Sequence, residues 1–380
     1  MHLMPWQKKC ATSGLLVVCA VFLFPFQASS QTIKSFEASG SGKVSGEGTM
    51  PAGINMFGEI TGSVIDGNDL WHGFVRKANG KSSVFDAPGA NPSVGCTCPA
   101  AINDFGVVVG TVMGTVVEGN FTFTTVNGFV RSVNGKITLV SPEGAESTFL
   151  DNVNDLGEAT GRYFDIFGQL HGFLRSANGQ ITEIADPLGG IVGGQGTWPY
   201  AINNLGIVSG LVTDSQFTGH GFLRMPGGNF TNFDVPGALG IQFVNGYVND
   251  LGVVAGTYVA QEASDQFVEA GFQRLPNGKF TVFSAPTGPL FNLSVTALDI
   301  RGTVTGFYEM PGGLDEAFVR FVDGQLVTLE FPSGTQESVG IGINALDTAV
   351  GWWIDAEGAY HGYTWSPDPQ THGNARGHER

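Results

Sequence analysis

Short apolar segments separated by glycine-rich turns recur along most of the chain, and helical spacing of apolar residues is almost absent. The segments form a repeating unit that opens with a pair resembling Ile-Asn, and neighbouring pairs lie 45 to 51 residues apart. The seven pairs are Ile54-Asn55, Ile102-Asn103, Val153-Asn154, Ile202-Asn203, Val248-Asn249, Leu298-Asp299 and Ile343-Asn344. A period of this length indicates a repeat architecture, in which each unit buries its apolar face against its neighbours.

Each unit predicts four strands, which we call A to D. Strand A contains the Ile-Asn-like pair, and a second glycine after it, such as Gly62, marks strand B. Strand C has the pattern Gly-Phe-x-Arg, as in residues 172–175, and strand D ends at a proline such as Pro236, which cannot continue a ladder. Strands C and D are joined by dipeptides such as Asn178-Gly179, which favour a tight hairpin because both residues tolerate positive φ.

The seventh unit has no strand D, because only a short polar tail follows Trp365. Residues 32–38, near the start of the chain, resemble strand D of the fifth unit and can complete the seventh without leaving an open sheet edge. The sequence therefore predicts an all-β fold, a seven-bladed β-propeller with four-stranded blades that is closed by the N-terminal strand. We expect a single domain over residues 31–366 and a disordered tail over residues 367–380.

The first thirty residues differ in kind from the rest of the chain. Lys8 and Lys9 precede an apolar segment, residues 15–26, and small residues follow it up to Ser30, which is the pattern of a secretory signal peptide. We predict that residues 1–30 are removed. The mature protein is then secreted, either to the outside of the cell or to a periplasm, with no membrane span, and we expect it to be a monomer.

The composition supports many short strands and argues against one class of partner. Glycine, at 57 residues, and phenylalanine, at 29, are frequent, and charged residues make up only 14%. Without Lys8 and Lys9 the chain has 16 basic and 34 acidic residues, a net charge of −18, which argues against nucleic acid as a partner. We interpret the acidity as solubility outside the cell. Attraction of Ca²⁺ is a second interpretation, but no motif supports a calcium loop, so we predict no cofactor and no metal site.

The repeat also resembles a known family. Units of the form Ile-Asn-x-x-Gly-x-x-x-Gly, followed by His-Gly-Phe and an Asn-Gly turn, are similar to the bacterial HAF family of extracellular repeats over nearly the whole mature chain. The resemblance implies a scaffold and carries over no catalytic residue. The chain mostly has Gly where the family name implies Ala, and Ala317 marks the unit that departs from Gly.

Strand order divides the predicted disc into two faces. Because consecutive strands are antiparallel, the A–B and C–D turns share one face, the short-turn face, whereas the B–C and D–A loops share the other, the variable face. The loops of the variable face differ in length and content, so we predict the binding site there. The candidate binding residues are four that we expect in the D–A loops, Trp198, Tyr200, Phe291 and Asn292, and one that adds aromatic surface, Trp71.

Two further sets of residues are candidates for a metal site or a redox role. Four histidines recur at the start of strand C, namely His72, His171, His220 and His361. Equivalent strands of different blades lie too far apart for a shared metal ion, so we predict a hydrogen bond that closes the B–C loop. Cys96 and Cys98 are the only mature cysteines, and their spacing leaves open a strained disulfide in a turn or two free thiols.

These features favour an extracellular binding module over an enzyme, with a glycan, cell-surface material or another secreted protein as its ligand. The alternative is a secreted hydrolase or lyase with its site at the mouth of the central channel, which needs at least two convergent titratable groups. The sequence contains no serine elbow, zinc-protease helix, phosphate loop or dinucleotide fingerprint, and we assign no catalytic residue. An active site assembled from several blades would leave no linear motif, so the alternative stays open.

Overall fold

The computed structural model describes residues 32–91, 95–118, 121–243, 248–261 and 267–367. Within these ranges the chain forms 28 strands and no helix. Among the same residues there is consequently no helix that could span a membrane. The predicted signal peptide and all but the first residue of the predicted tail lie outside the described residues. The all-β fold predicted from the sequence is confirmed.

The strands follow the order of the repeating units. The N-terminal strand is β1 (Thr32–Phe36), and the first unit contains β2 (Gly48–Ile54), β3 (Ile60–Ile65), β4 (Trp71–Arg76) and β5 (Ser82–Phe85). The second and third contain β6 (Thr97–Ile102), β7 (Val108–Glu118), β8 (Phe121–Arg131), β9 (Ile137–Val140), β10 (Ser147–Val153), β11 (Ala159–Phe164), β12 (Leu170–Arg175) and β13 (Ile181–Ile184). The fourth and fifth contain β14 (Gly196–Ile202), β15 (Val208–Thr213), β16 (Gly219–Arg224), β17 (Phe230–Phe233), β18 (Gly240–Phe243), β19 (Val254–Gln261), β20 (Phe267–Arg274) and β21 (Phe280–Phe283). The last two contain β22 (Leu293–Leu298), β23 (Val304–Glu309), β24 (Asp315–Arg320), β25 (Leu326–Thr328), β26 (Glu337–Ile343), β27 (Ala349–Ile354) and β28 (Tyr360–Ser366).

Consecutive strands pair antiparallel within each unit, from strand A to strand D. In the last unit β26, β27 and β28 are followed by β1, whose five residues pair with β28 from Thr32 opposite Ser366 to Phe36 opposite Gly362. The N-terminal strand therefore pairs where the sequence predicted. The ladder hydrogen bonds join the units into four sheets, of eight, twelve, four and four strands, rather than into one continuous sheet.

The second glycine of the unit is required by a close approach of two backbones. A Cβ placed on Gly62 would lie 2.2 Å from the carbonyl oxygen of Met50, because strand A bulges toward strand B at this point. The same position in the seventh unit, Gly351, would bring a Cβ to 1.9 Å from the carbonyl oxygen of Val339. No side chain fits there, and the bulge of strand A follows from the glycine.

The apolar core lies between neighbouring units. In one cluster Val75 and Ala87 of the first unit pack with Ile102, Val108 and Phe129 of the second. The strand C aromatic is fully buried in every unit, as Phe74, Phe129, Phe173, Phe222, Phe272, Phe318 and Tyr363. Each unit thus depends on its neighbours for burial, as expected of a repeat protein.

A belt of asparagine side chains connects the units close to the inner strands. The Nδ2 group of Asn55 donates to the carbonyl oxygen of Asn103 at 3.0 Å, and the same bond recurs from unit to unit as far as Asp299. The side chain of Asp299 has no N–H to donate, and Arg301 there contacts both Asp299 and Asp347. Asn344 donates to the carbonyl oxygen of Asn55 at 3.1 Å, so the last unit is bonded to the first.

Candidate functional site

The structure places the predicted binding residues at three separate points. Trp71 is the first residue of β4, and Phe291 with Asn292 immediately precedes β22. Trp198 and Tyr200 lie inside β14, the inner strand of the fourth unit, and not in the preceding loop, where the sequence analysis placed them. That strand starts early because Gly196 already pairs with Thr213 of β15 and with Leu170 of β12.

Trp198 and Tyr200 form the centre of a polar and aromatic group that we call the inner cluster, together with Asp151 and Arg162 of the third unit. The rings of Trp198 and Tyr200 stack with centroids 4.2 Å apart, and the guanidinium of Arg162 lies 3.8 Å from the indole. Trp198 Nε1 donates to Asp151 Oδ2 at 3.3 Å. Protein groups therefore cover the indole ring, and it is not an open platform for a sugar.

The inner cluster contains an ion pair in a largely buried position. Arg162 Nη1 lies 2.5 Å from Asp151 Oδ1. Burial raises the pKa of Asp151, and the charge of Arg162 acts against this rise. Burial, with a smaller contribution from the Asp151 charge, also raises the pKa of the Tyr200 phenol, whose buried hydroxyl has no hydrogen-bond partner among the described residues. The cluster departs from the repeat, since the other units carry uncharged residues at the position of Arg162.

Above the inner cluster, the loops of the third and fourth units expose a group of apolar side chains that we call the variable-face patch. Its members are Ile166, Phe167, Ile191, Val192 and Phe217, all more than half exposed, and Phe167 and Ile191 reach 79% and 80%. Ile166 and Phe167 belong to one B–C loop, Ile191 and Val192 to the D–A loop, and Phe217 to the next B–C loop. Exposed apolar side chains grouped on neighbouring loops are typical of interaction surfaces.

Hydrogen bonds between the loops hold the variable-face patch together. The N–H of Gly194 donates to the carbonyl oxygen of Gly168 at 3.0 Å, which ties the D–A loop to the first B–C loop. Phe217 Cε1 lies 3.9 Å from where a Cβ on Gly194 would stand, which places the second B–C loop beside them. The patch is therefore one surface built from three loops.

Phe217 adopts a backbone conformation that is unfavourable for its residue type. Its φ is +62°, at a turn position that Gly168 and Gly358 occupy in other units with φ of +72° and +88°. A bulky residue in this region costs about 1–2 kcal/mol relative to the usual regions. The fold thus holds an exposed aromatic ring at a strained position where glycine would fit without cost.

Sequence reasoning missed the variable-face patch, although a signal was present. The B–C turns of the first and seventh units are polar, as in residues 66–69 and 355–358, whereas residues 165–168 contain Ile166 and Phe167 at the turn corners. Apolar residues at the corners of a surface turn cannot reach the core.

The other predicted binding residues have protein partners. Phe291 packs against the core cluster of the sixth unit, and Asn292 Nδ2 donates to Glu309 Oε2 at 3.0 Å. Trp71 forms a bridge to Cys96, which is joined to Cys98 by a disulfide with the two Cα atoms 5.5 Å apart. The structure thus brings Trp198 together with Tyr200, and Phe291 with Asn292, and holds Trp71 apart between the first and second units.

Each of the four repeated histidines lies between two carboxylates. In the seventh unit His361 Nδ1 lies 2.6 Å from Glu37 Oε1 and Nε2 lies 2.9 Å from Asp355 Oδ2. Asp355 belongs to the B–C loop, so the predicted bond that closes this loop is present. The remaining histidines follow the same scheme, His72 with Asp66 and Asp86, His171 with Asp165 and Glu183, and His220 with Asp214 and Asp234.

These histidine sandwiches predict a dependence of stability on pH. Burial alone would lower the pKa of His220 and of His361, but their carboxylate partners outweigh it and raise both values. A raised pKa in the folded state stabilises the protein fully below the ordinary value of about 6.5, and this contribution is lost as the pH rises through the folded value. We expect the melting temperature to fall between pH 6 and pH 9, as measured by calorimetry. The double variant His220→Gln/His361→Gln should show a smaller fall, and an equal fall would contradict this account.

A small cavity lies at the inner strands, where the alternative hypothesis placed an active site. Its volume is about 150 Å³, and its lining consists of Ala, Gly, Ile and Leu residues with one polar side chain, Asn152. No titratable group lines it among the described residues. The same part of the chain contains no group of three or more His, Cys, Asp or Glu side chains that could hold a metal ion.

The short-turn face also exposes apolar side chains, and in six units one of them stands at the same position of the A–B turn. They stand two positions after the asparagine: Phe57, Phe105, Leu156, Leu205, Leu251 and Leu346. Polar residues lie between several of them, since Asp104 Oδ1 accepts the N–H of Met56 and Asp155 Oδ1 accepts that of Asp104. These side chains repeat with the unit, whereas the variable-face patch is confined to two units.

Comparison with known proteins bears on the fold. No protein-family model matches the chain, and no curated protein matches its sequence. Among solved structures it is similar to a catalytically inactive virginiamycin B lyase from Staphylococcus aureus, with a TM-score of 0.55, 13% identity and coverage of 88% of this chain and 99% of the lyase. Prolyl endopeptidases match with a TM-score of 0.51 and 12% identity over 85% of this chain and 46% of theirs. A lectin from Burkholderia pseudomallei matches at a TM-score of 0.47 and 12% identity, over 82% and 94% of the two chains. The likenesses to the lyase and to the prolyl endopeptidases show that the chain shares the all-β fold of β-propeller proteins.

Proposed function

We propose that this chain is a secreted, monomeric seven-bladed β-propeller of the HAF type that acts as a binding module for another protein outside the cytoplasm. The variable-face patch is its docking surface. The observation that carries the proposal is the exposure of five large apolar side chains, from Ile166 to Phe217, on adjacent loops. Monomeric proteins rarely expose such a surface without a partner.

Three features support seven blades and a closed ring. The strands fall into seven antiparallel sets of four, when β1 is counted with the last set. The belt of asparagines runs from unit to unit and returns from Asn344 to Asn55. The core clusters lie between neighbouring units, so a unit at an open end would leave an apolar face in water.

The chemistry of the variable-face patch favours a protein ligand over a glycan. Proteins bind sugars with an aromatic face together with hydrogen-bonding groups. The side chains of Ile, Val and Phe contain no hydrogen-bond donor or acceptor. The indole of Trp198, the strongest candidate for a sugar platform, is covered by Arg162 and Tyr200. Aliphatic and aromatic side chains grouped at the centre of a surface are typical of protein interfaces.

The inner cluster gives the patch a rigid base. Arg162 lies in β11 just before the loop that carries Phe167, and Trp198 lies in β14 just after the loop that carries Ile191. The contact of Arg162 with Trp198 joins these two strands across the boundary of the third and fourth units. A docking surface held in one shape loses less entropy on binding.

The strained conformation of Phe217 allows a test in which binding and stability change in opposite directions. Phe217→Gly removes the ring and relieves the backbone, so we expect a rise in unfolding free energy of up to about 1 kcal/mol. We expect binding to weaken by roughly tenfold or more, because the ring belongs to the docking surface. The matched control is Asp69→Gly, which relieves the same turn position, φ +61°, in the first unit and should leave binding unchanged.

Binding is measured with fluorescently labelled mature protein on intact cells of the producing organism and on its secreted proteins. We expect binding that is lost after protease treatment of the cells and retained after periodate oxidation of their glycans. Loss after periodate with retention after protease would identify a glycan and overturn the proposal. It would also be overturned if Phe217→Gly bound as tightly as Asp69→Gly, or if neither the cells nor the secreted proteins bound.

A further inference from the structure

A second cavity, well separated in the chain from the variable-face patch, opens between the sixth and seventh units. Its volume is about 670 Å³, within the range of small-molecule sites. One part of its wall is apolar and includes Leu314 and Phe331, and the other part is acidic and includes Asp315, Glu316 and Glu337. None of its lining residues is Lys, Arg or His.

The carboxylates of this cavity repel one another. Burial and the charge of Glu309 raise the pKa of Asp315, and burial and the charge of Asp315 raise that of Glu337. Glu316 is held in place because the Tyr308 hydroxyl donates to its Oε2 at 3.0 Å. The cavity therefore holds oriented negative charge beside an apolar wall.

In four of the other units a histidine of the chain itself stands at the position of Glu316, next to acidic side chains. Glu316 stands where the third unit has His171, and Tyr308 stands where that unit has Tyr163, which stacks on His171 at 4.7 Å. Glu330 follows Glu316 along the chain at the same distance in sequence at which Asp86 and Asp234 follow the histidines of their own units. In the sixth unit the aromatic ring and the strand D acid remain, but a carboxylate replaces the imidazole.

We propose that this cavity binds an organic cation, an ammonium or guanidinium group carried on an apolar stem, which supplies the positive charge that a histidine can supply in four of the other units. The charged end lies against Glu316 and Glu337, and the stem lies along Leu314 and Phe331. A hydrated metal ion would gain nothing from the apolar wall, whereas an alkylammonium uses both parts. The cation is either a free amine or the Lys or Arg side chain of another protein.

Titration calorimetry on the mature protein tests the proposal with cadaverine, agmatine and Nα-acetyl-lysine amide. The Nε-acetylated form of the last compound is the neutral control and should not bind. Tighter binding of cadaverine points to a free amine, and tighter binding of Nα-acetyl-lysine amide points to a protein side chain. Binding of CaCl₂ in place of all three cations would overturn the proposal, as would the absence of binding by any of them at millimolar concentration.

Two variants locate the site. Glu316→Gln keeps the shape of the side chain, and its amide oxygen can still accept the hydrogen bond from the Tyr308 hydroxyl. We expect this variant to weaken cation binding by roughly tenfold, because one hydrogen bond between charged groups is lost. Asp323→Asn removes an equal charge in the C–D turn on the short-turn face and should have no effect. Glu316→His removes a carboxylate from the cavity and adds an imidazole that can itself be protonated, so it should weaken cation binding more than Glu316→Gln does. Equal affinities for Glu316→Gln and Asp323→Asn would show that the cations bind elsewhere.

Discussion

A chain that begins at Ser39, and so lacks β1, is expected to lose most of its cooperative stability. β1 pairs with β28 from Gly362 to Ser366 and supplies Phe36, which packs with Ile60 and Phe74 of the first unit. It also supplies Ser35, whose Oγ accepts from Trp353 Nε1 at 3.0 Å. Each lost hydrogen bond costs about 1 kcal/mol, and several are lost at once from a total of about 5–15 kcal/mol. We expect the melting temperature to fall by roughly 10 °C or more, as measured by calorimetry.

A synthetic peptide of residues 32–38 provides the control for this truncation. If β1 acts by pairing with β28, the peptide added in trans should restore much of the lost stability. A peptide in which Phe36 is replaced by Ser should restore less, because the contacts with Ile60 and Phe74 are missing. A truncated chain that melts within about 2 °C of the intact one would show that β28 tolerates a free edge.

The strand order could be predicted because it depends on short-range chemistry that repeats. Gly62 leaves no room for a side chain beside the backbone of strand A, and Gly179 has the positive φ of +95° predicted for the C–D turn, although Asn178 does not. β1 was found in the same way, since Phe36 and Ala38 match Phe283 and Ala285 at the end of strand D. Local constraints of this kind can be recognised in a single unit, and their repetition in the other units strengthens the prediction.

The contacts between units could not be predicted in the same way. The asparagine of the repeat was noticed, but its Nδ2 partner is a carbonyl oxygen in the next unit, a whole repeat away along the chain. The location of Trp198 was also missed, because the start of strand A depends on the bridge between Gly196 and Leu170 of the third unit. The inner cluster arises from two neighbouring units, and no linear motif contains both Arg162 and Trp198.

The inner cluster is where a single substitution should cost most. Arg162→Ala leaves the Asp151 carboxylate largely buried with only Trp198 Nε1 as a hydrogen-bond donor, and it removes the cation from the rings of Phe149 and Trp198. An uncompensated buried charge costs about 3–5 kcal/mol. We expect a loss of unfolding free energy of this size at pH 7, measured by urea unfolding. The alternative role of Arg162, as a surface cation, would give a loss below about 1 kcal/mol.

The pH dependence of this loss tests its cause. Burial already raises the pKa of Asp151, and without Arg162 only the hydrogen bond from Trp198 Nε1 opposes this rise. A carboxyl group whose folded pKa is raised destabilises the folded state above that value and has no effect once it is protonated in both states. The difference between wild type and Arg162→Ala should therefore shrink as the pH falls from 7 toward 4. Adding Asp151→Asn should recover part of the loss at pH 7, because an amide carries no charge. A difference that stays constant with pH, and that Asp151→Asn does not reduce, would mean that the rings and not the ion pair account for the cost.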